Sequence, residues 1–577
     1  MLGTQRPDSA DPDWFHDPIT GRRAPDGLLA FRVNHRDETE TGNIKQVWEL
    51  SRHHHLTVLA CAWWLTREER YADATARQLR SWWQANPFLS GVHWTSGIEA
   101  GVRLISWAWC RRLLDEWPKV GDLFEDNDDA LRQIAWHQEF LAAFVSRGSS
   151  ANNHVIAEAA GQLVAACAFP WYERSAKWRR DALALLEREL AANTFASGVN
   201  RELASDYHRF VVELALLAAI EADSNGPSAS EATWQLLTRM LDAGVAMLDG
   251  TGRPPRQGDG DEGRALLVDD ADHDPWAAAL AAGAAVAGPA EWWPRLDGGV
   301  LPVLLGALAG PRRVVRREPR PQSFPDAGIV LLRSAAEDGR EIWCRCDEGP
   351  HGFLSIAAHA HADALSIEVR HDGVDILADP GTYCYHGEPE WRAWFRSTAA
   401  HNTLEVGGVD QSESGGPFLW TRHARITALG TEFGRQTQTW TAQHDGYRRL
   451  ATPAVHRRSV TLNSPERTVT VHDTIQADSE VSLRLFWHFG PSVSVELDGT
   501  TARLSWPTRG ETTDESGQGQ LSGTMRLPES LQWSAHRGEL DPISGWYSPA
   551  FGRRVETTSL VGRGPGLSRF VTVLQLP

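Results

Sequence analysis

Residues 351–401 read HGFLSIAAHAHADALSIEVRHDGVDILADPGTYCYHGEPEWRAWFRSTAAH, and this stretch decides how the rest of the chain is interpreted. Six of the 22 histidines fall inside it, far more than an even spread would place there. Its centre is His359-Ala-His361-Ala-Asp363. A strand-turn-strand pattern follows: SIEVR (366–370) alternates, His371-Asp372-Gly373 turns, and VDILAD (374–379) runs on until Pro380-Gly381 stops it. Residues i and i+2 of a strand share a face, so His359 and His361 are expected to point the same way. Asp379 then closes the neighbouring strand, and His401-Asn402 arrives after a loop rich in Trp, Arg and Tyr. Two histidines and one aspartate are ordinary ligands of a zinc-like ion. They are equally the residues of a polar cluster bonded to backbone, and the spacing alone leaves both readings open.

Downstream of residue 328 the apolar period is two. GIVLLRS, EIWCRC, ALSIEV, TVTVHD, SLRLFWHF, SVSVEL and TARLSW read as strands, with turn residues between them at short intervals. That pattern predicts an antiparallel β-sandwich over 328–577. Upstream, from residue 44 to about 308, apolar residues recur at three and four, as in VWELSRHHHLTVLACAWWLT and LRQIAWHQEFLAAFV. About ten helices joined by short loops are expected there, in a helical domain over 44–310. Pro and Arg crowd residues 311–325, so 311–327 reads as a linker. Residues 1–43 show little periodicity and read as an extended lead-in. The chain is thus α+β and multidomain, with the His-rich stretch expected across a cleft from the helices.

Several separated motifs carry a resemblance. HAHAD, DGVDILADPGTYCY and FRSTAAHNTLEV resemble the C-terminal half of the heparinase II/III-like polysaccharide lyases, a superfamily that also holds one group of alginate lyases. IKQVWELSRHHHL, HWTSGIEAGVRLISW, SSANNHVIAEAAG and NRELASDYHRF resemble the helical domain of the same family. The resemblance implies an N-terminal incomplete (α/α) toroid followed by a C-terminal antiparallel β-sandwich. It also implies cleavage of a uronic-acid-containing polysaccharide, whether glycosaminoglycan-like, alginate-like or an exopolysaccharide, by β-elimination.

Composition bounds this expectation. A formal net charge of -18 argues against nucleic acid as a partner. It also requires any acidic polysaccharide to meet a locally basic surface. The 26 tryptophans suit sugar stacking, but helical packing accounts for most of them as well. Six cysteines do not make a disulfide scaffold, and Cys344 and Cys346 are expected to be free thiols. No run is long and apolar enough to predict a membrane span, and the oligomeric state is not legible. The first residues carry no basic start and no apolar core of a signal peptide. The default expectation is therefore cytoplasmic, or secreted or periplasmic if a leader lies upstream.

β-Elimination at a uronate needs three things: a neutralised carboxylate, a base for the C5 proton, and an acid for the leaving O4. Asn152 is expected to cap the helix that Asn153 and His154 begin. The resemblance implies that Asn153 binds the uronate carboxylate, with His154 assisting by charge or as proton acceptor. It places the catalytic tyrosine at Tyr207 and a second proton-transfer residue at His359. His208 is expected to be structural. His361, Asp379 and His401 correspond to the family's ion site, for one structural divalent ion, zinc or calcium. Trp94, Glu202, Arg253, Gln257, Tyr383 and Arg396 are carried as substrate-side candidates, with loop packing as the competing reading for the last two. Tyr385 and Trp391, in the same loop, are likewise read as sugar contacts or loop packing, and Asp259, in a loop that resembles one near the family's cleft, has its role left open. Two alternatives stay in view: a glycoside hydrolase on an (α/α) toroid, drawing on Glu99, Glu158 or Glu202, and a non-catalytic glycan-binding protein.

Overall fold

A computed structural model describes residues 12–310, 312, 316, 319–335, 339–508, 519–566 and 569–577. Residues 1–11 of the expected lead-in, and residues 311, 313–315, 317 and 318 of the expected linker, lie outside the described residues. Two compact units interleave along the chain. The helical unit takes Met1–Thr194, Arg209–Asp242 and Gly263–Glu318; the β unit takes Phe195–His208, Ala243–Glu262 and Pro319–Pro577.

The helical unit is made of the helices that the period predicted, in the incomplete (α/α) toroid that the resemblance implied. Its longer helices include His54–Thr66, Glu69–Ala85, Gly97–Leu113, Asp128–Ala143, Asn153–Ala168 and Ser175–Ala192. Two glycines set the closest crossing. A Cβ on Gly161 would lie 2.3 Å from the Gly101 carbonyl oxygen, and one on Gly101 would lie 2.4 Å from that of Ala157. The helices Gly97–Leu113 and Asn153–Ala168 therefore touch backbone to backbone. Trp82, Trp94, Trp107, His53, His93 and His137 pack ring on ring as a buried layer of this unit. Arg103 sits within the layer, donating to His137 Nε2 at 2.9 Å and lying over the Trp82 ring. Most of the tryptophans are packing residues of this kind.

The β unit is an antiparallel sandwich. One eight-stranded sheet runs Ser494–Asp498, Thr501–Pro507, Gln520–Arg526, Arg569–Gln575, Thr468–Ala477, Ala454–Asn463, Thr437–His444, Ile426–Phe433. A five-stranded meander over Ser323–Phe324, Ile329–Ala335, Glu341–Asp347, Ile367–His371 and Val374–Leu377 shares a core with it, as does a four-stranded sheet. Val330, Cys344, Ile367, Trp440, Val460, Leu485, Trp487 and Trp506 belong to that one continuous apolar core. The strand Ser323–Phe324 falls inside the stretch expected to be linker. The hairpin at Asp372-Gly373 forms as expected: both residues have positive φ, and His371 pairs with Val374. Cys344 and Cys346 are free, buried thiols. Among the described residues, no helix is long and apolar enough to cross a membrane.

Candidate active site

The site in the β unit grows from three segments that meet at the loop 257–261. Tyr207 stands in the first turn of the helix Ser205–Asn225. The Ser205 backbone N–H at that helix start donates to the Gln257 carbonyl at 3.0 Å. His208 Nδ1 accepts from the Asn200 N–H at 3.1 Å, the structural role expected of it. Gly258 has φ +65°, and a Cβ there would sit 2.8 Å from the Leu203 carbonyl and 2.9 Å from that of His359. Only glycine fits so narrow a gap in that conformation. The next residue, Asp259, donates its N–H to the His359 carbonyl at 3.0 Å, so its side chain is delivered between helix start and HAHAD segment.

The HAHAD segment is a loop, which corrects the strand expected there; the strand begins only at Ile367. Positive φ at Leu354, Ala357 and Leu365 breaks the extended run that alternation suggested. The two histidines still converge, by another route, on one carboxylate. His359 Nδ1 lies 3.2 Å from Asp259 Oδ2, and His361 Nε2 lies 3.1 Å from Oδ1. Arg392 closes the other side with a bidentate fork at 2.5 and 2.7 Å. Asp259 is almost wholly buried. Burial would raise its pKa, but the Arg392 guanidinium and the two imidazoles hold it well below the usual carboxylate range. It is an anion that both histidines can lean on.

Tyr207 stacks on His359, with ring centroids 3.9 Å apart and planes 23° from parallel. Its hydroxyl lies 2.8 Å from that of Tyr385 and donates to Asp261 Oδ2 at 3.2 Å. Burial, then the Asp261 charge, push the Tyr207 phenol well above its ordinary value, so it holds its proton. The Tyr385 phenol is pushed up as well, by burial and by Tyr207. On the far side of the imidazole, His359 Nε2 lies 3.5 Å from Glu202 Oε2.

His361, Asp379 and His401 also come together: one potential ligand atom from each lies within 4.8 Å of the others. His361 gives its Nε2–H to Asp259, and His401 gives its Nδ1–H to the Ser397 carbonyl at 2.7 Å. The remaining ring nitrogens, His361 Nδ1 and His401 Nε2, face each other at 3.2 Å as bare lone pairs. Asp379 Oδ2 lies 3.6 Å from His401 Nε2 and accepts no hydrogen bond, although it is buried. Two imidazole lone pairs and an orphaned carboxylate oxygen repel one another unless a cation lies among them. Ligands about 2.0–2.1 Å from a tetrahedral ion stand roughly 3.3 Å apart, so the spacing fits such an ion. Burial lowers the pKa of both His361 and His401, which keeps the rings neutral and available as ligands.

The other expected residues are placed as follows. Asn153 and His154 start the helix Asn153–Ala168 of the helical unit, Asn153 buried and His154 half-buried. Asn152 caps that helix, accepting from the His154 N–H at 3.2 Å, as expected. Trp94 is fully buried against His137 and Phe140, with no face open to a sugar. Arg253 is tied to Asp375 at 2.7 Å and to the Gly373 carbonyl, bracing the hairpin. Gln257 is buried beside His361. Arg396 lies over Trp420 and donates to the Ala360 and Gly416 carbonyls, so it braces the HAHAD loop. Tyr383 bonds Glu388 and lies under Arg554. Sequence reasoning missed Asp261 and Arg392 and left Asp259 without a role. GDGDEG was a visible acidic signal for the two aspartates, whereas Arg392 lies 133 residues from its partner and offered none.

Comparison with known proteins agrees with the two-part fold. Residues 8–260 match the family described as heparinase II/III N-terminus, and residues 316–573 match heparinase II/III-like, C-terminal. The chain belongs to the heparinase II/III-like family. It is 23% identical over 414 residues to a heparin-sulfate lyase of Bacteroides stercoris, a match covering 67% of this chain and 57% of the relative's length. The crystal structure of the heparan sulfate lyase HepC from Pedobacter heparinus superposes with TM-score 0.60 at 19% identity, covering 92% of this chain and 77% of that one. A heparinase III structure superposes with TM-score 0.67 at 16% identity, covering 91% and 76%. At these identities the structural likeness speaks for the fold: helical toroid followed by β-sandwich.

Proposed function

We propose that the protein is a polysaccharide lyase that cleaves a uronic-acid-containing polysaccharide by β-elimination, leaving an unsaturated uronate at the new non-reducing end. One observation carries the reading: a protonated Tyr207 stacked on His359, whose Nδ1 is committed to Asp259. That pair offers an acid and an acceptor side by side, in a chain whose curated relatives are heparin-sulfate lyases. Family membership and the acidic polymers of those relatives favour a glycosaminoglycan-like substrate.

In this reading His359 takes the C5 proton on Nε2, because Nδ1–H is held by Asp259 and the ring is fixed in one tautomer. Tyr207 donates to the leaving O4. Its neighbours Asp261, Asp259 and Glu202 are acidic, an environment that keeps a phenol protonated and makes it a poor base. The carboxylate-neutralising role falls to Asn153, with His154 assisting, on the family motif alone. His361, Asp379 and His401 would hold one divalent ion. Two imidazoles and one carboxylate favour zinc over calcium, which prefers six to eight oxygen ligands. Bound there, the ion would supply charge and rigidity to the loop behind His359.

The hydrolase alternative finds no support in the helical unit. Glu99 is neutralised by a bidentate Arg52 at 2.8 Å. Glu158 is raised to about 7 by burial and is held by the Ser146 N–H and hydroxyl at 2.8 and 2.6 Å. A panel of heparan, chondroitin, hyaluronan and alginate chains, read by the ultraviolet absorbance of the new C4=C5 double bond, tests the proposal. Absorbance growing with at least one polymer is expected, and none with any uronate polymer overturns it.

A further inference from the structure

We infer that Asp259 is a positioning residue shared by two histidines, one carboxylate that both aims His359 and completes the ion site through His361. Each of its oxygens is committed to a different ring: Oδ2 to His359 Nδ1 at 3.2 Å and Oδ1 to His361 Nε2 at 3.1 Å. The Arg392 fork at 2.5 and 2.7 Å fixes the plane of the carboxylate, and Arg392 is itself pinned by the Pro417 carbonyl and lies over Tyr385 and Phe418. The Asp259 N–H bonds the His359 carbonyl, so backbone and side chain hold the same histidine.

This arrangement dictates both tautomers. A carboxylate accepts and does not donate, so His359 must carry its proton on Nδ1 and His361 on Nε2. That leaves His361 Nδ1 for an ion, and for a substrate proton His359 Nε2, which at 3.5 Å stands farther from Glu202 Oε2 than Nδ1 does from Asp259. A shift of the His361 ring on ion binding passes to His359 through one rigid group. The ion site is thereby linked to the proton-transfer residue. Partners of this kind behind metal-ligating histidines typically alter affinity or activity by about 10–100-fold when removed.

The inference rests on the lyase reading only in its kinetic arm. Asp259→Asn replaces one acceptor oxygen with a donor, so one of the two rings must turn or change tautomer. Zinc affinity, measured by competition with a chromophoric chelator, is expected to fall by about 10–100-fold. With a cleaved polymer, kcat is expected to fall while KM holds. Unchanged zinc affinity, or a higher KM at unchanged kcat, overturns the inference. If the variant does not fold, the wild-type protein decides through nitrogen-15 spectra of its histidine rings, with His359 assigned from the peak lost in His359→Gln. A protonated Nδ1 on His359 and a protonated Nε2 on His361 are expected, and the opposite tautomer at either ring overturns it. A wild-type protein that cleaves no uronate polymer defeats the lyase reading alone, since zinc affinity and ring spectra still report on Asp259.

Discussion

Replacing Tyr207 with phenylalanine removes one oxygen and keeps the ring, and the structure separates the two consequences. The stack on His359, with centroids 3.9 Å apart, survives because it belongs to the ring. Two hydrogen bonds disappear, one with the Tyr385 hydroxyl and one to Asp261. Asp261 is only half-buried and Tyr385 keeps its packing on Phe418 and Phe551, so the loss should cost about 1 kcal/mol of stability. The loss in rate should be larger. If the phenol protonates the leaving oxygen, its removal costs about 10²–10⁴ in kcat, a barrier rise of roughly 3–5 kcal/mol. KM should hold, because contacts made before the proton moves remain. Turnover at saturating polymer, followed by absorbance of the unsaturated product, reads the rate; thermal unfolding reads the stability. A folded Tyr207→Phe protein with near wild-type turnover would remove Tyr207 from the mechanism.

Three further outcomes are expected. His361→Ala should lose a stoichiometric divalent ion and lower the melting temperature while the helical unit stays folded; elemental analysis showing no ion in the wild type, or an unchanged melting temperature, would count against the ion site. Burial holds the imidazoles of His53, His55, His93 and His137 below the ordinary histidine value, His55 at about 4 and His93 at about 3. Unfolding lets them bind protons, so stability present above pH ~6.5 should be lost as pH falls, by about 2 kcal/mol at pH 5 for each of His55 and His93. Glu158 and Asp347, raised to about 7, and Asp363, raised to about 6, oppose this, and a melting temperature that rises from pH 7 to pH 5 would refute the dominance of the histidines. Asn402→Ala should cost at least about 3 kcal/mol by denaturant titration, since its buried amide serves the Ile367 and Ala378 carbonyls and the His488 N–H; a loss under about 1 kcal/mol would show that these groups find other partners.

What was legible in the sequence was what period and turn chemistry encode. GIVLLRS, EIWCRC and TARLSW alternate because one face of each strand meets the shared core, and Asp372-Gly373 announces a turn with positive φ. The helical unit was legible as helices, but its buried His and Trp layer was not. His53, for instance, accepts from the Trp107 ring N–H, 54 positions away. HAHAD misled because its alternation mimics a strand, while left-handed residues at Ala357 and Leu365 turn it into a loop. The ion-site residues were recognisable by motif, yet the link between them and His359 was not. Asp259 lies 100 residues from His359 and 133 from Arg392, and only the folded chain brings them together. Trp94 shows the converse: its type suits sugar stacking, but at the end of the short 3-10 helix Val92–Trp94 it packs on His137 and Phe140 and is completely buried.

The most direct test of the central claim is whether water enters the products. A defined uronate oligosaccharide that the protein cleaves should be digested in oxygen-18-labelled water and the fragments weighed by mass spectrometry. β-Elimination transfers a proton from C5 and expels O4, so the fragment masses should sum to that of the substrate. One fragment should carry the double bond, and neither should carry oxygen-18 from the cleavage. Fragments that together weigh one water more than the substrate, with the label at the cut, would contradict the account and make the protein a hydrolase.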